Sequence, residues 1–308
     1  MIIVTGTKRS GTSMWMQILI AAGFPPFGEK FPGEWQKTLK QANPSGFYES
    51  MLRHGIYYRT NPHPRTGAYF FPEQVQRHVV KVFIPGLVRS DRAYIGKVVA
   101  TMREWREYES SVERLWGIED EQRKAKNPDL PRPVRMPGAL EWWTENFALM
   151  RDIAIRRFPV HVQSYDGLLQ DPEKVITKTI EWLGDGDAAA AIAAVKPENR
   201  TQQRPESDSV DASFAAVFDE LYETVHEGKG LTRALIEKLN RTNEQLLPQI
   251  REHQRRVAED AMKRRAARKP GDPPEPEDGR EPPPVDPTLA EPDITEAEAG
   301  TGADTGGQ

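Results

Sequence analysis

The chain has 308 residues, 37% of them apolar with seven Trp, enough for one large α/β domain or two small ones. A near-balanced formal charge of −4 removes any global electrostatic reason to expect nucleic acid or an acidic membrane as partner. The absence of cysteine excludes disulfides, thiolate metal sites and a cysteine nucleophile, and no apolar stretch approaches the roughly 18 residues of a membrane span, so the expectation is a soluble, cytoplasmic protein without a membrane span.

Residues 2 to 15, Ile-Ile-Val-Thr-Gly-Thr-Lys-Arg-Ser-Gly-Thr-Ser-Met-Trp, read as a strand, a loop of small and basic residues, and a helix. Helical spacing at Met14, Ile18, Leu19 and Ala22 stops at Gly23, ahead of Pro25-Pro26. The loop therefore opens onto a helix N-terminus, where free amides and the macrodipole favour an anion. From Pro25 to Phe71, proline, glycine and aromatic residues mix with basic groups; the segment reads either as the wall of a pocket or as loops and short helices capping a sheet. Val79 to Ile84 is a β-branched run closed by Pro85-Gly86, and Gly96 to Met102 is a second; both read as buried parallel strands. A helix over Arg106 to Trp116 places Arg103 at the C-terminal end of a strand, where open α/β sheets gather ligand groups. Ile118 to Pro137, charged and punctuated by Pro131, Pro133 and Pro137, reads as a mobile connection, either a lid or a long loop.

Apolar positions Trp143, Phe147, Met150, Ala154 and Phe158 predict a helix over Ala139 to Phe158, followed by a short strand at Pro159 to Val162. Asp171-Pro172-Glu173 supplies an N-cap, a proline at the first helical position and an early acid, with Val175, Ile176, Ile180 and Leu183 as the buried face up to Gly184. This order predicts an α/β fold: a parallel sheet flanked by helices on both faces, a P-loop-like three-layer sandwich spanning residues 1–205. Phe214 to Val225 and Leu231 to Arg268 are read as a helical extension, 206–268, whose leucine stripe Pro248 interrupts. Residues 269–308, rich in Pro, Glu, Asp and Gly and free of aromatics, are expected to form a disordered acidic tail. The basic end of the last helix is either a homodimer or partner contact or a solvated charge run.

Gly6-x4-Gly11-Thr12-Ser13 has P-loop spacing, with Thr12 where the P-loop lysine belongs. What remains is a nest of amides, hydroxyls at Ser10, Thr12 and Ser13, and two cations, Lys8 and Arg9, at the front of the loop. Such a set neutralises an anion without a metal, and the histidines show no metal-ligand spacing. Lys8-Arg9-Ser10-Gly11-Thr12-Ser13 resembles the 5′-phosphosulfate-binding loop of sulfotransferases of the bacterial type, which use 3′-phosphoadenosine 5′-phosphosulfate. Arg103 and Ser111 are similar in spacing to the family's second signature, an Arg at a strand end and a Ser eight residues later that grip the 3′-phosphate. Asn43 to Glu49, Lys81 to Pro85 and Ser164 to Pro172 resemble further stretches of that family, over roughly residues 1 to 205.

The resemblance implies transfer of a sulfuryl group from 3′-phosphoadenosine 5′-phosphosulfate, as co-substrate, to a hydroxyl or amine on a small-molecule, glycan or lipid acceptor. Lys8, Arg9, Ser10, Gly11, Thr12, Ser13, Arg103 and Ser111 are then the donor-binding residues, and Arg9 is also catalytic, stabilising the leaving phosphate. Many family members carry a histidine base where this chain has Phe83; other branches use a Glu after the first helix, which makes Glu49 the expected base, with Glu29 and His54 behind it. Arg200 and Arg204, after the last core helix, are either basic residues that close over the donor's phosphate, as the resemblance implies, or surface charges. Two other readings compete: a P-loop nucleotide kinase or NTPase, disfavoured by Thr12, and a non-catalytic interaction protein with a decayed donor loop.

Overall fold

Ile2, Ile3, Val4 and Thr5 are all buried and form β1 (Ile2–Thr5), the centre of a parallel five-stranded sheet of order β2-β3-β1-β4-β5. The computed structural model describes residues 1–33, 35–38, 40, 43–63, 67–126, 131–195 and 205–266, so the expected acidic tail at 269–308 and both Arg200 and Arg204 lie outside the described residues. After β1 come α1 (Thr12–Ala21), the two-residue β2 (Pro26–Phe27), the single turn α2 (Trp35–Thr38), β3 (Val79–Lys81) and α3 (Ile84–Arg89). The chain then crosses to the other side of β1 through β4 (Lys97–Met102), α4 (Trp105–Lys126), α5 (Gly138–Arg156), β5 (Val160–Ser164) and α6 (Tyr165–Gln170). It continues through α7 (Pro172–Leu183), α8 (Ala188–Ala193), α9 (Ala212–His226) and α10 (Arg233–Ala266).

Register explains the layers. Ile3 pairs with Val80 and Val98, and all three face a cluster that also buries Trp105, Trp142, Trp143, Phe218 and Leu246. Ile2 and Val4, one residue out of phase, face the opposite cluster with Val79, Val99, Trp15, Leu19 and Ile180. Period-two alternation of apolar residues thus builds two cores, one on each face of the sheet. The apolar faces of α9 and α10 join the first of them. Because β1 pairs with β3 on one side and β4 on the other, its C-terminal end is the switch point of the sheet, where such folds open a crevice.

Several boundaries differ from expectation. The run Val79 to Ile84 is not one strand: β3 stops at Lys81, and Pro85 sits in the first turn of α3, where its missing N–H leaves nothing unsatisfied. Gly86 is required there by close approach, since a Cβ would meet the carbonyl of Arg53 at 2.7 Å. The two-residue β2 has no sequence counterpart, being too short to show a period. The start of the expected connection from Ile118 to Pro137 is instead helical, as α4 runs to Lys126, and its proline-rich end is pinned by paired bonds of 2.9 and 2.7 Å from Arg135 to Asp120. Pro248 does not break α10: buried Leu246 and Ile250 flank it, and their packing offsets the lost backbone bond.

Two half-buried imidazoles give the fold a pH dependence. Burial pulls His161 on β5 below its ordinary value, with Lys178 adding to the effect; burial, then His63 and the N-terminal ammonium, does the same to His78. The unfolded chain therefore binds more protons than the folded one once the pH falls below about 6.5, and stability is lost in that direction. The urea midpoint is expected to be lower at pH 5.5 than at pH 7.5, and the difference to shrink in a His78→Gln/His161→Gln variant; an equal difference in that variant would remove these two rings as its source.

Candidate functional site

The loop between β1 and α1 closes on itself. The Ser10 hydroxyl donates to the Thr7 carbonyl at 2.7 Å, and Thr101 on β4 donates from Oγ1 to the Ser10 carbonyl at 2.9 Å. Gly11 takes a left-handed φ of 96° as the residue before α1, and a Cβ there would meet the Tyr165 ring at 2.6 Å, so the position demands glycine. No side chain caps α1 and no acid occupies its first turn, which leaves its first amides to another acceptor. Arg9 itself holds a left-handed φ of 65°, a conformation that costs a non-glycine residue energy and aims its side chain across the sheet toward α4.

There the predicted residues meet. Half-buried Arg9 donates from Nε to Ser111 Oγ at 3.3 Å, and buried Arg103 donates from Nη1 to the Arg9 carbonyl at 3.1 Å. Arg103 also donates from Nε to Glu107 at 3.2 Å, and its guanidinium lies 4.9 Å from the centre of the Tyr165 ring. The pairing of Arg103 with Glu107 is internal, Glu107 being fully buried. Among the described residues, Arg103 Nη2 is buried without a hydrogen-bond partner, as are the hydroxyls of Thr5 and Thr7 below it in the chain. A buried guanidinium N–H without an acceptor is costly, and an anion oxygen is the group that removes the cost. Burial foremost, and then repulsion from Arg103 and Arg114, partly offset by Tyr165, pulls the Arg9 guanidinium down to about 10. Two crowded cations at the switch point of the sheet call for a counter-anion.

The other predicted residues divide. Thr12 is buried in the first turn of α1, Lys8 is half-buried at the front of the loop, and Ser10 serves the loop's own closure. Ser13 lies on the opposite side from Arg103: it donates to the Phe47 carbonyl at 3.3 Å and accepts from Lys81 Nζ at 3.1 Å. Lys81, at the end of β3, also donates to Glu49 at 2.8 Å, making a buried pair that Arg53 approaches at 3.8 Å. Burial is the main force pulling Lys81 below its ordinary value, partly offset by Glu49, and the charge of Arg9 reaches it as well. Of the alternative bases, Glu29 has an exposed side chain although its backbone bridges to Glu49, and His54 ends the short turn Met51–His54, half-buried. Asp166, in the first turn of α6, accepts the Tyr222 hydroxyl at 2.6 Å.

Sequence reasoning gave no role to Lys81 or Tyr165, and offered Glu107 only as a surface partner of Arg103. Lys81 had a signal, a single charge inside a β-branched strand, and Glu107 had one in its four-residue spacing from Arg103; Tyr165 had none, since its contact with Gly11 spans the sheet.

No protein-family model matches the chain, and no curated protein matches it. Among solved structures it is similar to the sulfotransferase domain from the Synechococcus PCC 7002 olefin synthase, with a TM-score of 0.35 and 15% identity over 80% of this chain and 94% of that one. It is also similar to the sulfotransferase domain from the Curacin biosynthetic pathway, with a TM-score of 0.37 and 13% identity over 80% of this chain and 96% of that one.

Proposed function

We propose that the chain is a sulfotransferase that moves a sulfuryl group from 3′-phosphoadenosine 5′-phosphosulfate to a hydroxyl or amine acceptor. The observation that carries the reading is the convergence of Arg9, Arg103 and Ser111, with Arg103 Nη2 buried and lacking an acceptor among the described residues. The residues fit a donor with two phosphate groups: the amides at the start of α1 with Arg9, Thr12 and Ser13 would hold the 5′ side, and Arg103 with Ser111 the 3′-phosphate. When bound, the donor supplies an electrophilic sulfur and a phosphate leaving group.

This chain's residues do the rest. Arg9 and the loop amides neutralise the charge that develops on the leaving group. Arg103 discriminates against nucleotides lacking the 3′-phosphate, because they leave its N–H unpaired. Glu49, seated across the loop from Arg103, takes the acceptor proton, and Lys81 holds it in place while bridging to Ser13.

Thermal shift separates this reading from a P-loop kinase or NTPase. Millimolar 3′-phosphoadenosine 5′-phosphate is expected to raise Tm by several degrees, more than ATP with Mg²⁺ at the same concentration; the reverse order would favour the nucleotide-triphosphate reading. A screen with labelled donor over phenols, glycans and lipids then identifies the acceptor, and failure of every class despite donor binding would favour a non-catalytic role.

A further inference from the structure

We propose that Asp219, on α9, is a positioning residue for the anion site, acting on Arg103 through a chain of alternating charges along the start of α4. This rests on the donor-site reading above. It assigns to α9, more than a hundred residues along the chain, a part in holding the 3′-phosphate group's partner in place.

Each link is a short contact. Asp219 accepts Arg106 through both carboxylate oxygens, at 2.6 and 3.1 Å, and accepts the Trp105 indole N–H at 2.8 Å. Arg106 lies over the Trp105 ring, 4.2 Å from its centre, and donates to Glu104 at 3.0 Å. The second oxygen of Glu104 accepts the Glu107 backbone N–H at 2.9 Å, and Glu107 in turn accepts Arg103 Nε. Glu104 and Glu107 are both buried, so each needs a cation. Arg106 is the cation of Glu104, and Asp219 fixes where Arg106 points; the hydrogen bonds that Arg106 donates to Asp219 are the foremost cause holding that guanidinium above its ordinary value.

The division of labour follows from the charges. With Arg106 fixed on Glu104, Arg103 is left to Glu107 and to the loop, its Nη2 turned to the ligand position. If Asp219 no longer orients Arg106, Glu104 loses its cation, and the neighbouring Arg103 is the nearest replacement. Arg103 then leaves the geometry in which Nη1 meets the Arg9 carbonyl. Packing alone does not account for this arrangement: α9 already docks through Phe218, whose ring lies 4.8 Å from that of Trp143 and 5.8 Å from that of Trp105. Asp219 is half-exposed, and its described contacts there are the polar ones to Arg106 and the Trp105 indole N–H.

Asp219→Asn keeps the shape and an acceptor for Trp105 while removing the charge. Calorimetry with 3′-phosphoadenosine 5′-phosphate is expected to show binding weakened about tenfold by Asp219→Asn in the wild-type background, and by less than about twofold when Arg103→Lys is already present. An Asp219→Asn effect of the same size in both backgrounds would overturn the proposal, because a merely structural role does not depend on Arg103. A ligand-free arm keeps the test separate from the functional reading. The Tm changes of Asp219→Asn and Arg103→Lys are expected to be non-additive in the free protein, and strict additivity would overturn the coupling whether or not the nucleotide binds. If wild type fails to bind the nucleotide, the sulfotransferase reading falls, and the Tm cycle alone decides whether Asp219 and Arg103 are linked. Asp219→Glu, with the charge restored, is expected to recover at least half of the lost affinity; no recovery would place the effect in shape rather than charge.

Discussion

Arg103→Lys is expected to weaken binding of 3′-phosphoadenosine 5′-phosphate by at least about 30-fold, in line with the roughly 2 to 5 kcal/mol lost when a buried hydrogen-bonded charge is truncated. The charge survives the substitution, so the loss measures geometry. Arginine sends three N–H groups in three fixed directions from one plane: to Glu107, to the Arg9 carbonyl, and to the position no described residue fills. A lysine ammonium satisfies the buried carboxylate of Glu107 and gives up one or both of the others. Binding of adenosine 5′-monophosphate, which has no 3′-phosphate, is expected to change by less than about threefold in the same variant, because the 5′ side belongs to the loop amides and Arg9. Isothermal titration of the two nucleotides against both proteins checks the pair of outcomes. Equal losses for both nucleotides would mean that Arg103 supports the loop in general and does not read the 3′ position.

That prediction depends on a constellation partly legible in the sequence, and the reasons for the partial success are physical. β1 and β4 announce themselves as short continuous apolar, β-branched runs and α5 and α7 by apolar residues repeating with a period of 3.6, and α7 also carries its Asp-Pro cap and terminal glycine. Arg103 and Ser111 are linked in the sequence only through the resemblance to the sulfotransferase signature, whose eight-residue spacing runs from a strand end to the second turn of the following helix. Their meeting with Arg9 could not be derived from spacing, because it requires β4 to pair with β1 in a register that brings two strand ends level. The same limit hides Lys81: its partners Ser13 and Glu49 come from two other segments, and only the pairing of β3 with β1 brings them together. The resemblance to sulfotransferases directed attention to Ser10 as a donor ligand, whereas its hydroxyl turns inward to the Thr7 carbonyl. Pro248 is the opposite case, a local rule overridden because buried Leu246 and Ile250 hold the helix on either side of it.

Glu49→Gln is expected to lower kcat by about 10²- to 10⁴-fold, the range of a lost general base, with the affinity for donor nucleotide changed by less than about threefold. The difficulty is Lys81. Removing the carboxylate leaves a buried ammonium beside Ser13 and the Phe47 carbonyl, and an uncompensated buried charge destabilises and distorts its surroundings. A fall in turnover by itself therefore does not distinguish a lost base from a damaged loop. The double variant Glu49→Gln/Lys81→Met does, because it removes the pair together and leaves a neutral, well-filled site. If Glu49 takes the acceptor proton, Tm recovers toward wild type while kcat stays low. If the single variant fails only because Lys81 is stranded, turnover recovers along with Tm, and the base must be sought elsewhere, with His54 next along the chain. Lys81→Met alone completes the comparison: it keeps the carboxylate but removes its link to Ser13, and it is expected to cost less kcat than Glu49→Gln, because the proton acceptor remains and only its positioning is lost.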